Sequence, residues 1–329
     1  MEKNYYILKN GRLRRKQNTV YFENSEGKKP IPINDINAIF AFGEIDINSK
    51  LLIFLARNNI AVHFFNYYGF YSGTFYPKEY LISGFLTVKQ VSNYLDKNKR
   101  LEIAKEIIDS ASYNILQNLN YYRRQGKKVE EFTVKIETER GRIAEAPGIP
   151  ELMGIEGRIR DTYYQSLDSI LRAGFEFGKR SKRPPENMIN CLISFGNSLM
   201  YTTTLSEIYH TQLNPTISYL HEPGERRFSL SLDISEIFKP IIVDRIIFNI
   251  INNRIIKEEH FDEKLNFCYL NDKGRRIFLQ EYDEKLKTTI KHKTLKRRIS
   301  YRHLIRIECY RLIKHLIENK KYEGFRMWW

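Results

Sequence analysis

The sequence predicts an α+β protein: a small N-terminal β-sheet or sandwich domain, residues 1–76, followed by a larger all-α domain, residues 77–329. Short runs rich in aromatic and β-branched residues, divided by turn chemistry, fill the first 75 positions. Beyond Pro77 the segments lengthen and apolar residues recur every three or four positions. A length of 329 residues suits about two domains, and 42% hydrophobic against 28% charged residues is a globular composition.

Strands are predicted at Tyr5–Leu8, Thr19–Phe22, Pro30–Ile33, Ala38–Phe42, Ile60–Phe65 and Tyr71–Phe75. Asn10-Gly11, Glu26-Gly27, Phe42-Gly43 and Tyr68-Gly69 supply the turns between them. One helix interrupts the set, because Leu51, Leu52, Leu55 and Ala56 fall on one face behind a cap at Asn48 or Ser49. In the second domain the helical period covers Leu101–Leu119, Met153–Phe175, Pro185–Tyr209, Ile234 to about Ile256, and about Ile299 to Ile317. Pro147-Gly-Ile-Pro150, Pro184-Pro185 and Pro223-Gly224 break the helices apart.

Charge narrows the function classes. The net charge is +15, and from Lys264 onward 18 basic residues face 7 acidic ones. Such an imbalance favours a polyanionic partner, nucleic acid or an anionic membrane surface. No apolar run approaches the ~20 residues that span a bilayer, which argues against an integral membrane protein, and the cytoplasm is the expected compartment. Cys191, Cys268 and Cys309 are too few and too scattered for a disulfide scaffold or a thiolate zinc site.

With no P-loop, dinucleotide-binding glycine motif, H-E-x-x-H or nucleophile elbow, the chemistry rests on carboxylates and histidines. His63 lies in a strand and reads as structural, while His292, His303 and His315 read as solvated helix faces. Glu258-Glu259-His260 with Asp262-Glu263 reads as a polar turn. His221 stands at a helix-to-loop break, in Tyr219-Leu-His-Glu-Pro-Gly224. Twelve residues later Asp233-Ile-Ser-Glu236 opens a helix, and by spacing alone Asp233 caps it by accepting from the Glu236 amide. Glu156 sits on a semi-apolar helical face, where a carboxylate is paired or metal-bound, and Arg160 one turn on offers an ordinary ion pair.

Four segments together carry a resemblance: Met153-Gly-Ile-Glu-Gly-Arg158, then Lys182-Arg-Pro-Pro-Glu-Asn-Met-Ile-Asn190 leading to Phe195-Gly-Asn-Ser-Leu-Met-Tyr201, then Leu220-His221 and Asp233-Ile-Ser-Glu-Ile-Phe-Lys-Pro240. In this order they resemble the CRISPR-associated protein one family, the integrase and endonuclease of spacer acquisition, over almost the whole chain. The ending Phe325-Arg-Met-Trp-Trp329 resembles a branch associated with type I systems. The resemblance implies a divalent metal held by Glu156, His221 and Glu236, with Asp233 as a further acidic catalytic position. Where the family has Asp or Glu this chain has Glu236, one methylene longer than Asp. One imidazole with two carboxylates suits Mg²⁺ or Mn²⁺. Double-stranded DNA as spacer precursor and repeat, a homodimer formed through the β domain, and a small adaptation partner protein are implied as well.

DNA affinity is expected from Arg298, Arg302 and Arg306, which recur at four-residue spacing as one positive helical stripe, and from Lys291, Lys293, Lys296 and Arg297. Lys182 and Arg183 close a second basic run, Lys179-Arg-Ser-Lys-Arg183, expected to touch DNA near the site. Two other functions share these features: a basic nucleic-acid-binding scaffold without catalysis, and a repair nuclease acting on branched DNA.

Overall fold

The computed structural model describes residues 2–328 apart from 79, 183, 225–227, 265, 266 and 319. Its chain divides into two compact units, Met1–Tyr80 and Leu81–Trp329.

The first unit runs β1 (Lys3–Ile7), β2 (Gly11–Lys16), β3 (Thr19–Asn24), β4 (Gly27–Pro32), β5 (Ile36–Ala41), β6 (Ile45–Ile47), α1 (Ser49–Arg57), β7 (Ala61–Phe65) and β8 (Tyr71–Phe75). Two four-stranded sheets form, in the orders β1-β5-β7-β8 and β4-β3-β2-β6. β1, β5 and β7 are parallel, with β8 antiparallel on β7. β2, β3 and β4 make an antiparallel meander that β6 joins in parallel. Every expected strand is present, and β2 and β6 are additional. In β2, Gly-Arg-Leu-Arg-Arg-Lys, Leu13 is fully buried and joins Val20, Ile39, Leu51, Leu55 and Val62 in one core. Asn48 caps α1 by accepting from the Leu51 amide at 3.0 Å. His63 is structural as expected: it is fully buried, with Nδ1 2.8 Å from Thr74 Oγ1.

The second unit contains α2 (Gly84–Leu95), α3 (Lys97–Arg124), α4 (Glu130–Gly141), α5 (Ile149–Gln165), α6 (Leu167–Ile170), α7 (Met188–Tyr209), α8 (Ser229–Phe238), α9 (Arg245–Asn252), α10 (Asp272–Lys287) and α11 (Tyr301–Glu318). Two antiparallel ribbons accompany the helices, β9 (Phe261–Lys264) with β10 (Phe267–Leu270) and β11 (Thr289–Lys291) with β12 (Arg298–Ser300). The helix expected to reach Phe175 stops at Gln165 and α6, and the loop beyond passes through Gly174 and Gly178 at φ 91° and 63°.

α7 is apolar nearly all round and lies buried between α8 and α11. Gly196 permits this approach, since a Cβ there would meet Val243 Cγ1 at 2.5 Å and Phe278 Cζ at 3.0 Å. Beyond α8 the chain does not continue as one α-helix. Pro240 has no N–H to donate, and residues Pro240–Asp244 form a π-helical turn closed by the Asp244 amide on the Lys239 carbonyl at 3.1 Å. Carbonyls left over at this break receive amides from α3: Asn114 donates to the Ile237 carbonyl at 3.0 Å and Asn118 to the Pro240 carbonyl at 2.7 Å.

Near the C-terminus, α11 buries Ile305, Cys309, Leu312 and Leu316 on one face, as their spacing predicts. The arginine stripe does not form. Arg298 belongs to β12, where it bonds Thr289, and α11 starts only at Tyr301. Arg302 and Arg306 do share the helix, but they turn to Glu207 of α7, a carboxylate that is 1% exposed and held by Arg306 Nε at 2.7 Å. Two further expectations fail here. His292 and His315 are buried rather than solvated, His292 within the turn of the β11–β12 ribbon and His315 against the Lys320 carbonyl.

Candidate active site

Three segments of the second unit supply the site: α5, the loop before α8, and α8 itself. α5 carries Glu156 and, one turn later, Arg160, both largely buried. α8 carries Asp233 and Glu236 one turn apart, and Lys239 follows at its C-terminal end.

Asp233 does not cap a helix. Because α8 begins at Ser229, Asp233 lies inside it, fully buried, and its carboxylate faces the incoming loop. Oδ2 accepts from the amides of Tyr219 and Leu220 at 2.7 and 2.9 Å. Oδ1 accepts from the His221 amide at 3.0 Å and from His221 Nδ1 at 2.8 Å. The loop is thereby folded onto one carboxylate, and the His221 tautomer is fixed with its proton on Nδ1. Nε2 is left as the nitrogen able to ligate a cation. Burial opposes charge on His221, but the bond to Asp233 and the negative charges of Asp233 and Glu236 outweigh it and raise its pKa above the ordinary imidazole value.

Glu236 is held by two cations. Arg160 reaches one carboxylate oxygen and Lys239 the other, while Arg160 Nε also stands 3.4 Å from Glu156 Oε1. One guanidinium thus bridges the two carboxylates. Burial works to raise the Glu236 pKa, yet Lys239 and Arg160 reverse that and hold it well below the usual carboxylate range. Nearby Asp244, pushed up to about 6 by burial, accepts a hydrogen bond from the Tyr163 hydroxyl. Sequence reasoning singled out neither Asp244 nor Lys239 as part of the site. For Lys239 the signal is its i,i+3 spacing from Glu236; for Asp244 local spacing offers none.

The donor set of Glu156, Glu236 and His221 has the chemistry of a divalent-cation site, with oxygen ligands and an imidazole oriented by a carboxylate. Among the described residues, however, no three His, Cys, Asp or Glu side chains stand close enough to hold an ion. The positive charge between Glu156 and Glu236 is supplied by Arg160. The Glu258–His260 segment is a polar turn, as expected: His260 Nδ1 accepts from the Lys257 amide at 3.0 Å.

The expected DNA contacts lie apart from this cluster in sequence and in element. Lys291, Lys293, Lys296 and Arg297 are exposed on the β11–β12 ribbon and its turn. Lys182 is exposed in the loop before α7, and Arg183 lies outside the described residues. No helix among the described residues is long and apolar enough to cross a membrane.

In class, this is an α+β protein whose acid–histidine cluster belongs wholly to its helical unit. The family model described as CRISPR associated protein Cas1 matches residues 5–284, and the chain belongs to that family. A curated relative from Thermodesulfovibrio yellowstonii, named CRISPR-associated endonuclease Cas1 3, is 54% identical over 328 residues, covering 99% of this chain and all of the relative. Among solved structures, TM1797, a CAS1 protein from Thermotoga maritima, superposes with a TM-score of 0.89 at 43% identity over 98% of this chain and all of that one. A casposase bound to integration product superposes at 0.88 with 19% identity over 98% of this chain and 92% of that one, a likeness of fold.

Proposed function

We propose that this chain is a metal-dependent DNA integrase and endonuclease of CRISPR adaptation, joining spacer DNA to the repeat array by attack of a 3′-OH on a phosphodiester. One observation supports this above the others. Asp233 orients His221 with Nε2 available and with Glu236 near enough to act on its charge, and Glu236 and Glu156 already share one cation in Arg160. Mg²⁺ or Mn²⁺ held by Glu156, Glu236 and His221 would polarise the scissile phosphodiester and stabilise charge on the attacking and leaving oxygens. The chain's own groups do the rest: Asp233 orients the imidazole, Lys239 offers a cation to a phosphate oxygen, and Arg160 must release Glu236 for that carboxylate to ligate.

The DNA is double-stranded spacer precursor and repeat, bound through the exposed cations Lys291, Lys293, Lys296, Arg297 and Lys182. The working assembly is a homodimer paired through the β-sheet unit together with the small adaptation partner.

A strand-transfer assay with Mg²⁺, Mn²⁺ or EDTA tests the reading. Covalent joining with either cation and none with EDTA is expected. DNA binding without covalent product would favour the scaffold, and cleavage of branched DNA without joining would favour the repair nuclease.

A further inference from the structure

A pocket of about 420 Å³ lies at the C-terminal end of the second unit, between the β11–β12 turn, the last turns of α11 and the terminal segment. His292, Lys293, Arg311, Lys314, Lys321 and Trp328 line it. Lys320 and Arg326 also face it, and three of the lining cations have carboxylate partners, Arg311 in Glu308, Lys320 in Glu318 and Arg326 in Glu106 and Asp109. Glu323 is the one acidic residue in the lining. Lys314 and Lys321 are exposed and in no ion pair among the described residues. Lys293, Lys314 and Lys321 leave this concavity with net positive charge, which favours an anion there.

His292 is the second, independent sign of a ligand. It is 3% exposed, and its Nδ1 accepts from the amides of Thr294 and Leu295, both at 3.2 Å. A ring whose Nδ1 accepts carries its proton on Nε2, and that buried nitrogen has no hydrogen-bond partner. A buried donor without an acceptor is destabilising. The Trp328 ring stands edge-on to His292 at 5.7 Å and has Lys293 Nζ 5.5 Å from its centroid. An aromatic face beside cations is what a nucleotide uses, base on ring and phosphate on charge.

We propose that this pocket binds a phosphate group, with His292 Nε2 and the ammonium groups of Lys314 and Lys321 as its donors. The inference rests on charge and an orphaned donor, independently of the catalytic reading.

Trp328 lines the pocket, so intrinsic tryptophan emission reports on it. Full-length protein is titrated with sodium phosphate, with a 5′-phosphorylated single-stranded oligonucleotide, and with the same strand bearing a 5′-hydroxyl. The Lys314→Glu, Lys321→Glu double variant is titrated in parallel. Saturable change in emission is expected, weakened about tenfold or more in the variant, whose substitutions are on the surface and leave the circular dichroism unchanged. Response to phosphate alone identifies the free ion as the source. A response needing the strand identifies a nucleic-acid phosphate, and preference for the 5′-phosphorylated strand places a strand end there. No change in emission with any titrant, or equal affinity in the variant, overturns the proposal.

Discussion

Asp233 Oδ1 receives both the backbone amide and the imidazole Nδ1–H of His221, at 3.0 and 2.8 Å, so one carboxylate sets the loop and the ring together. Its second oxygen takes the two preceding amides. Asp233→Ala removes all four bonds at a fully buried position and leaves their donors without partners. The expected cost is about 3–5 kcal/mol, beyond what a lost helix cap produces. Urea unfolding of the variant measures it, and a loss near 1 kcal/mol would return Asp233 to a minor role.

The Glu207 contact predicts a different kind of failure. Arg306→Ala strands a carboxylate that is 1% exposed, with Arg302 at 3.9 Å as its remaining partner. About 3 kcal/mol of stability should be lost. Combining it with Glu207→Gln should restore much of that, because the buried charge is then gone. A double-mutant cycle by chemical denaturation reads the coupling, and additive effects would dissociate the pair.

Gly196 has no room for a side chain. Gly196→Val should destabilise by about 1–3 kcal/mol as α7 is pushed from the π-helical turn and Phe278. Thermal unfolding checks this, and a variant as stable as the parent would show that the contact yields freely.

Acid should weaken the β-sheet unit through His63. Burial lowers its pKa from 6.5 to about 3, so the folded chain stays neutral where the unfolded chain binds a proton. Stability is therefore full above pH 6.5 and falls as the pH drops toward 3, by at most about 1.4 kcal/mol per unit crossed. His63→Phe should flatten that dependence. Urea midpoints at pH 7, 5 and 4 for both proteins decide it, and parallel slopes would remove His63 as the cause.

The strands and the long helices were legible because their side chains carry a strong period. β2 was not: five of its six residues are glycine or basic, and only the inward Leu13 marks it. The Arg298–Arg306 period crossed from β12 into α11, where spacing ceases to mean a common face. Asp233 kept the right type and position but hid its role. Its partners lie 12 to 14 residues earlier in the chain, beyond the reach of local capping rules. Arg160 was visible as an i,i+4 partner of Glu156, whereas its stronger hold on Glu236 depends on α5 meeting α8 in space.

Glu156, His221 and Glu236 are proposed to hold together one divalent ion that DNA joining requires. Mn²⁺ binding followed by calorimetry, on the parent and on Glu156→Gln, His221→Ala and Glu236→Gln, tests it most directly, with strand transfer assayed on the same preparations. One ion per chain is expected in the parent, weakened in each variant by more than the ~10–100-fold that loss of an outer partner of a ligand costs, or abolished, with strand transfer lost and DNA affinity kept. Unchanged Mn²⁺ affinity in all three variants, or strand transfer retained in any of them, would show that these side chains are not the ligands of a required ion.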